Sequence, residues 1–238
     1  GTRLFMDYTR LTQNGRWSGH FSVDGVKTDV GADCFGTRDR SWGIRPVGKP
    51  DSQPAPQAMD GAMPQFFWLW TPSNFADRSL FLHTNDDGEG APWNRRGVLF
   101  ADGGAAVDYD APEISYEWEV RSRRVTKAVV QLDAETRVTL TPTGSGMGSR
   151  GHFYMNGLGY THPEWGHGMD HGTSEVGYDR IDLNQVNDND FANLHIQAVA
   201  DVTIEQGGSV IQGRGLVEQF FLGEHAPTGL KGLYDPRG

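Results

Sequence analysis

Between Gln65 and Pro142 the chain passes through a succession of short apolar or alternating stretches, each ended by a turn signal. No segment there carries the helical period, so the pattern commits this part of the chain to β-structure. QFFWLWTP is almost wholly apolar and aromatic, and it suits a buried strand rather than a membrane helix. SLFLHTNDDGEG and WNRRGVLFADGG each read as a strand entering a turn, so residues 66–70, 80–84 and 96–100 look like consecutive antiparallel strands. ISYEWEVR, VTKAVVQLD and TRVTLTP alternate at period two, and the DAET turn joins the last two as a hairpin.

The same reading extends outward. RWSGHFSVDG combines alternation with an Asp-Gly turn, and GRGLVEQFFLGEH resembles a final strand. Residues 191–208 fit either a strand pair or one short helix and a strand. The proline-rich stretch 51–64 reads as an exposed loop. The chain has 32 glycines and 12 prolines, which favour many turns over long helices. Strands spaced by roughly 8–12 residues point to an antiparallel sandwich or barrel, and the missing βαβ rhythm disfavours a Rossmann or TIM fold. The expected organisation is two β units, residues 1–103 and 104–238.

Charge and cysteine content narrow the partners. A formal net charge of -10 repels nucleic acid and anionic membranes. No apolar stretch approaches a membrane span, and no signal peptide is seen, so the expected location is the cytoplasm. The chain starts at GTRLFMDYTRL, as a fragment or a processed product would. Cys34 is the single cysteine, so an intrachain disulfide is excluded, and a buried free thiol is its expected role. The segment TGSGMGSRG lacks the Gly-Lys-Ser/Thr of a phosphate loop.

Two dense polar motifs stand apart from the strands. GADCFGTRDRSWGIR, Gly31 to Arg45, reads as a polar loop following a short strand. Arg38 and Arg40 either pair with Asp33 and Asp39 or hold a polar ligand. In an extended segment Arg38 and Arg40 share one face and Asp39 the other. Asp39 would then serve as an electrostatic partner or base, and Arg45 would clamp a carboxylate or enolate oxygen. Trp42 would line the site or pack in the core.

YTHPEWGHGMDH, Tyr160 to His171, reads as a glycine-broken loop. His162, His167 and His171 could hold zinc or iron, although their spacing is not that of a helical zinc protease. Otherwise His162 and His167 are structural or move protons. Tyr160, Glu164 and Trp165 would line the same site. An acid beside tryptophan walls suits proton transfer to or from a double bond.

At these residues the chain resembles a known family. CFGTRDRSWGIR resembles the arginine-aspartate-histidine-serine-tryptophan-glycine signature of the AttH-like family, the superfamily of carotenoid 1,2-hydratase. GLGYTHPEWGHG is similar to a motif of its bacterial members. The resemblance implies concatenated lipocalin-like β-barrels, the first incomplete here, with apolar isoprenoid or polyketide substrates and no cofactor. One departure matters: the histidine of the signature is Arg40, which cannot shuttle protons. The expected function is therefore a cofactor-free hydratase or dehydratase, with Asp39, His162, His167 and Arg45 catalytic. Arg38, Arg40, Trp42, Tyr160, Glu164 and Trp165 would bind substrate. Alternatives are an isomerase or cyclase, a non-catalytic lipocalin-like carrier, and a metal-dependent lyase or hydrolase using the three histidines.

Overall fold

The computed structural model describes residues 7–44, 65–143, 152–153, 162, 164–187 and 190–236. Its strands in chain order are β1 (Asp7–Arg16), β2 (Gly19–Val23), β3 (Val26–Val30), β4 (Phe35–Ile44), β5 (Phe66–Asn74), β6 (Arg78–Asp86) and β7 (Pro92–Ala101). There follow β8 (Ala106–Tyr109), β9 (Glu113–Trp118), β10 (Val125–Gln131), β11 (Thr136–Pro142), β12 (His152–Phe153), β13 (His195–Gln206) and β14 (Ser209–Leu222). The helical content among the described residues is confined to 3₁₀ turns.

One antiparallel sheet runs in the order β8-β7-β6-β5-β14-β13-β11-β10-β9, with β12 beside β13. It curls into a half-barrel, an all-β lipocalin-like fold. The curl brings its two ends together over a single core. Leu82 and Leu99 from one end share that core with Val125, Val130 and Leu140 from the other. Gly97 marks a close approach between them, because a Cβ there would sit 2.9 Å from the Leu132 side chain. The sheet takes strands from both sides of residue 103: β5 to β7 precede it, and β14 hydrogen-bonds to β5.

Side-chain alternation sorts the sheet into two faces. Phe67, Leu69, Leu80, Leu82, Val217 and Phe221 point inward and are buried. The outer face is also covered at its centre, since Trp68 and Trp70 are buried too. That double burial explains why β5 reads as a continuous apolar run.

The cover is a two-stranded ribbon of β1 and β4, paired in register from Asp7–Ile44 to Arg16–Phe35. It is clamped to β5 and the turn after it by polar contacts. Asn14 Nδ2 donates to the Ser73 carbonyl (3.1 Å), Asn74 Nδ2 donates to Thr37 Oγ1 (3.4 Å), and Arg16 Nη2 donates to the Phe75 carbonyl (2.9 Å), while Thr37 Oγ1 donates to Asn14 Oδ1 within the ribbon (2.8 Å). The first polar motif is thus a strand and not a loop, because its residues complete a ladder with β1 that carries no apolar stripe. A separate hairpin, β2–β3, turns at Asp24-Gly25, both with positive φ. Cys34 lies in the turn before β4 and is exposed, not buried, because that turn stands clear of the described sheet residues.

Candidate active site

The ribbon and the outer face enclose an open cavity of about 480 Å³ lined by Tyr8, Arg10, Trp70, Phe81, His83 and Arg96, among others. Strand register builds it. Trp70 lies opposite His83 on β6 and Glu218 on β14, and His83 lies opposite Arg96 on β7. Trp68, one pleat along, lies opposite Asn85 and Phe220, and Phe220 opposes His195. The result is two adjacent cross-strand rows, Arg96–His83–Trp70–Glu218 and Asn85–Trp68–Phe220–His195, in which aromatic rings stand beside polar side chains.

Arg10 projects into this region from β1. Its Nε and Nη2 donate to Asp39 Oδ1 and Oδ2 at 2.9 and 2.6 Å, a bidentate fork. Its guanidinium lies 5.5 Å from the Trp70 ring and 6.0 Å from the Trp68 ring. Burial opposes the charge on Arg10, but the hydrogen bond and charge of Asp39 outweigh it, with Tyr8 and Glu218 adding, so its pKa is raised. Arg10 is therefore a fixed cation on an aromatic floor.

His83 has the opposite character. Burial lowers its pKa, and the Arg10 charge lowers it further against a raising hydrogen bond to Asn85. Its Nε2 is 2.7 Å from Asn85 Oδ1, which accepts, so Nε2 carries the proton and Nδ1 keeps its lone pair. At neutral pH His83 is an uncharged base next to a permanent cation.

Behind them sits a buried polar cluster. Glu218 accepts from His195 Nε2 at 2.8 Å and from Gln197 Nε2 at 2.6 Å, and its side chain is only 3% exposed. The His195 ring stacks on Phe220 (centroids 5.2 Å apart) and meets Trp68 edge-on. This network fixes the aromatic floor under Arg10.

The residues singled out in the sequence fall in separate places. Asp39 belongs to the cavity through Arg10, which it holds from β4, and not through Arg38 or Arg40. Arg38 and Arg40 are exposed, and Arg40 lies over the Trp42 ring at 5.6 Å. Trp42 is 51% exposed, on the face of the ribbon turned away from the sheet, so it neither fills the core nor lines the cavity. Arg45 and Tyr160 lie outside the described residues.

The second motif forms its own loop. His162 Nδ1 accepts from the backbone N–H groups of Glu164 (3.1 Å) and Trp165 (2.8 Å). Its Nε2 lies 3.2 Å from Asp179 Oδ2, so both ring nitrogens are engaged within the loop. Trp165 stacks on His171 at 4.2 Å, Glu164 is exposed and His167 is half-buried. Among the described residues no three His, Cys, Asp or Glu side chains are gathered to hold a metal ion, including His162, His167 and His171. Nor does any contact among them join His162 to Asp39.

Arg10, His83 and Glu218 went unnoticed in the sequence. The available signal was indirect: His83 alternates with inward Leu80, Leu82 and Thr84, and Glu218 sits between apolar neighbours in a strand covered on both faces.

A family model matches residues 1–231. The chain belongs to DUF8625, a family of unknown function. No curated protein matches it in sequence. Among solved structures, kievitone hydratase from Nectria haematococca is 12% identical with a TM-score of 0.51, over 90% of this chain and 53% of that one. A protein described as an AttH from Nitrosomonas europaea is 15% identical with a TM-score of 0.47, over 88% of this chain and 51% of its own. This DUF8625 chain thus spans about half the length of either protein, and the first likeness establishes a shared fold.

Proposed function

We propose that the chain is a hydratase or dehydratase acting on a neutral, largely apolar small molecule in the outer-face cavity. The observation that carries this reading is the pairing of a neutral His83 with the fixed Arg10 cation between aromatic walls. A cation at that position disfavours a carbocation, so protonation of an unactivated alkene is the poorer fit. It favours a developing enolate oxygen. In the dehydration direction, His83 Nδ1 takes the proton from the carbon beside a carbonyl, and Arg10 stabilises the enolate. The hydroxyl on the next carbon leaves as water, carrying the proton that His83 returns. The products are an enone and one water, and hydration is the reverse. Asp39 is a positioning residue that aims Arg10. Trp70 and Phe81 are walls that exclude water and strengthen both interactions. The fold shared with a protein named kievitone hydratase agrees with water addition as the reaction class.

Benzylideneacetone, an apolar enone with absorbance that disappears on hydration, is a suitable substrate probe. The wild-type chain should equilibrate it with its hydrate, and His83→Gln should lower the rate by about 10²–10⁴. Arg10→Gln should lower it by roughly 10² or more. An unchanged rate in His83→Gln, or no turnover by the wild type, contradicts the assignment.

A further inference from the structure

Three histidines of the described chain lie against a carboxylate. His195 Nε2 is 2.8 Å from Glu218 Oε1, His162 Nε2 is 3.2 Å from Asp179 Oδ2, and His225 Nε2 is 3.5 Å from Asp86 Oδ2. His83 differs: its Nε2 is 2.7 Å from Oδ1 of Asn85, an amide that carries no charge. We propose that Asn85 is the positioning residue of the outer-face site, whose single hydrogen bond decides which His83 nitrogen is left as the base and keeps that base uncharged. This rests on His83 being the base of the proposed reaction, and it adds the residue that sets the base.

Strand geometry places the pair. His83 and Asn85 are two residues apart on β6, so both side chains leave the same face of the strand. Asn85 is only 2% exposed and has Trp68 of β5 and Asn94 of β7 as its cross-strand neighbours. Trp68 also meets the His83 ring nearly at right angles, with centroids 6.3 Å apart. The imidazole is thus flanked by an indole and tied at one nitrogen to a buried amide. A neutral imidazole has one N–H and an amide oxygen only accepts, so the proton sits on Nε2 and the lone pair is left on Nδ1. A ring without that acceptor would exchange between its two tautomers and spend part of its time with the proton on the nitrogen that must act as base.

A carboxylate at position 85 would fix the same tautomer, but its charge would also favour the imidazolium. The amide supplies the acceptor without the charge. The charged groups around the ring act in the same direction. Arg10 from β1 lies over the neighbouring Trp70, Arg96 of β7 is the cross-strand neighbour of His83, and Tyr8 of β1 lines the same cavity. The carboxylates nearby are engaged by other donors: Asp39 of β4 by Arg10, Asp108 of β8 by Arg96 (Nε to Oδ1, 2.8 Å), and Glu218 of β14 by His195 and Gln197. Burial, and then the Arg10 charge, hold the His83 pKa below its ordinary 6.5 against the Asn85 bond, which favours the protonated ring. One neutral hydrogen bond is too weak to reverse that balance, and a carboxylate in its place would oppose it far more strongly.

Nitrogen-15 NMR of the labelled wild-type chain tests this first, with neither a variant fold nor turnover required. Long-range proton–nitrogen correlations distinguish a ring nitrogen that carries a proton from one that does not, and His83→Gln identifies the His83 signals by their loss. At neutral pH His83 should show a protonated Nε2 and a bare Nδ1. A proton on Nδ1, or two nitrogens averaged between the forms, would overturn the proposal. Asn85→Asp should keep the tautomer and raise the His83 titration midpoint by about one pH unit or more. Asn85→Leu should let the two tautomers mix. An unmoved midpoint in the first variant, or an unchanged tautomer in the second, would also overturn it. Benzylideneacetone hydration then separates the two readings, because the acid limb should rise with the midpoint in Asn85→Asp. A midpoint that moves while the limb stays in place supports the hold of Asn85 on the ring and contradicts His83 as the base.

Discussion

Replacing Glu218 probes the network that holds the aromatic floor. Its carboxylate accepts two hydrogen bonds, from His195 and Gln197, inside a site from which water is excluded. Glu218→Ala strands two buried donors and opens a void, and such losses cost about 1–3 kcal/mol per unsatisfied group before the void is counted. Two such donors and the void together give an expected loss of about 3–5 kcal/mol. Glu218→Gln keeps the volume. The amide oxygen can accept one bond, and Gln197, whose Oε1 has no hydrogen bond among the described residues, can turn its amide to restore the other. Its expected cost is about 1–2 kcal/mol, one weakened hydrogen bond and one lost charge. Urea unfolding followed by tryptophan fluorescence reads both, with equal slopes required before the midpoints are compared. An alanine variant within about 1 kcal/mol of wild type, or a glutamine variant as damaged as alanine, would refute the idea that these donors depend on Glu218.

Three further outcomes follow from named contacts. Arg123, buried with its guanidinium donating to the carbonyls of Phe221, Gly223, Lys231, Gly232 and Asp235, ties the C-terminal segment across the barrel end. Arg123→Lys keeps the charge but loses the fork, and urea melts should show a loss of about 2–4 kcal/mol. Because burial holds the His83 pKa below its ordinary 6.5, its contribution to stability is full above pH 6.5 and declines as pH falls toward the folded value. The acid limb of benzylideneacetone hydration should accordingly lie below pH 6.5, and a limb above it would contradict the environment described for His83. Asp39→Asn should raise KM and lower kcat while changing stability by less than about 1 kcal/mol, since the Arg10–Asp39 pair is partly exposed.

The strands that face a core on one side were legible from period-two alternation. Leu80, Leu82 and Thr84 against Phe81 and His83 is one case, and Val138 and Leu140 in β11 is another. The Asp24-Gly25 turn and the final strand β14 were equally plain. β1 was not, because DYTRLTQNGR has no apolar stripe: its sheet-facing side is Arg10, Thr12, Asn14 and Arg16, of which Asn14 and Arg16 hydrogen-bond to Ser73 and Phe75 and Arg10 lies over the Trp70 ring. β4 hid for the same reason, its glycines and charges imitating a loop. The site was still harder to read. Asp39 stands out in the sequence, yet its partner is 29 residues away and reachable only through the β1–β4 register. Glu218, His195 and Trp68 meet through the β13–β14–β5 pairing, which local pattern does not encode. His162 stands in the sequence among clustered histidines, but its loop turns both ring nitrogens inward on local partners.

A crystal structure with the hydrate of benzylideneacetone tests the account most directly. The ketone oxygen should rest on the Arg10 guanidinium and the adjacent carbon beside His83 Nδ1, with the phenyl ring between Trp70 and Phe81. Density for the molecule against His162 and Asp179, or no binding in the outer-face cavity at saturating concentration, would contradict it.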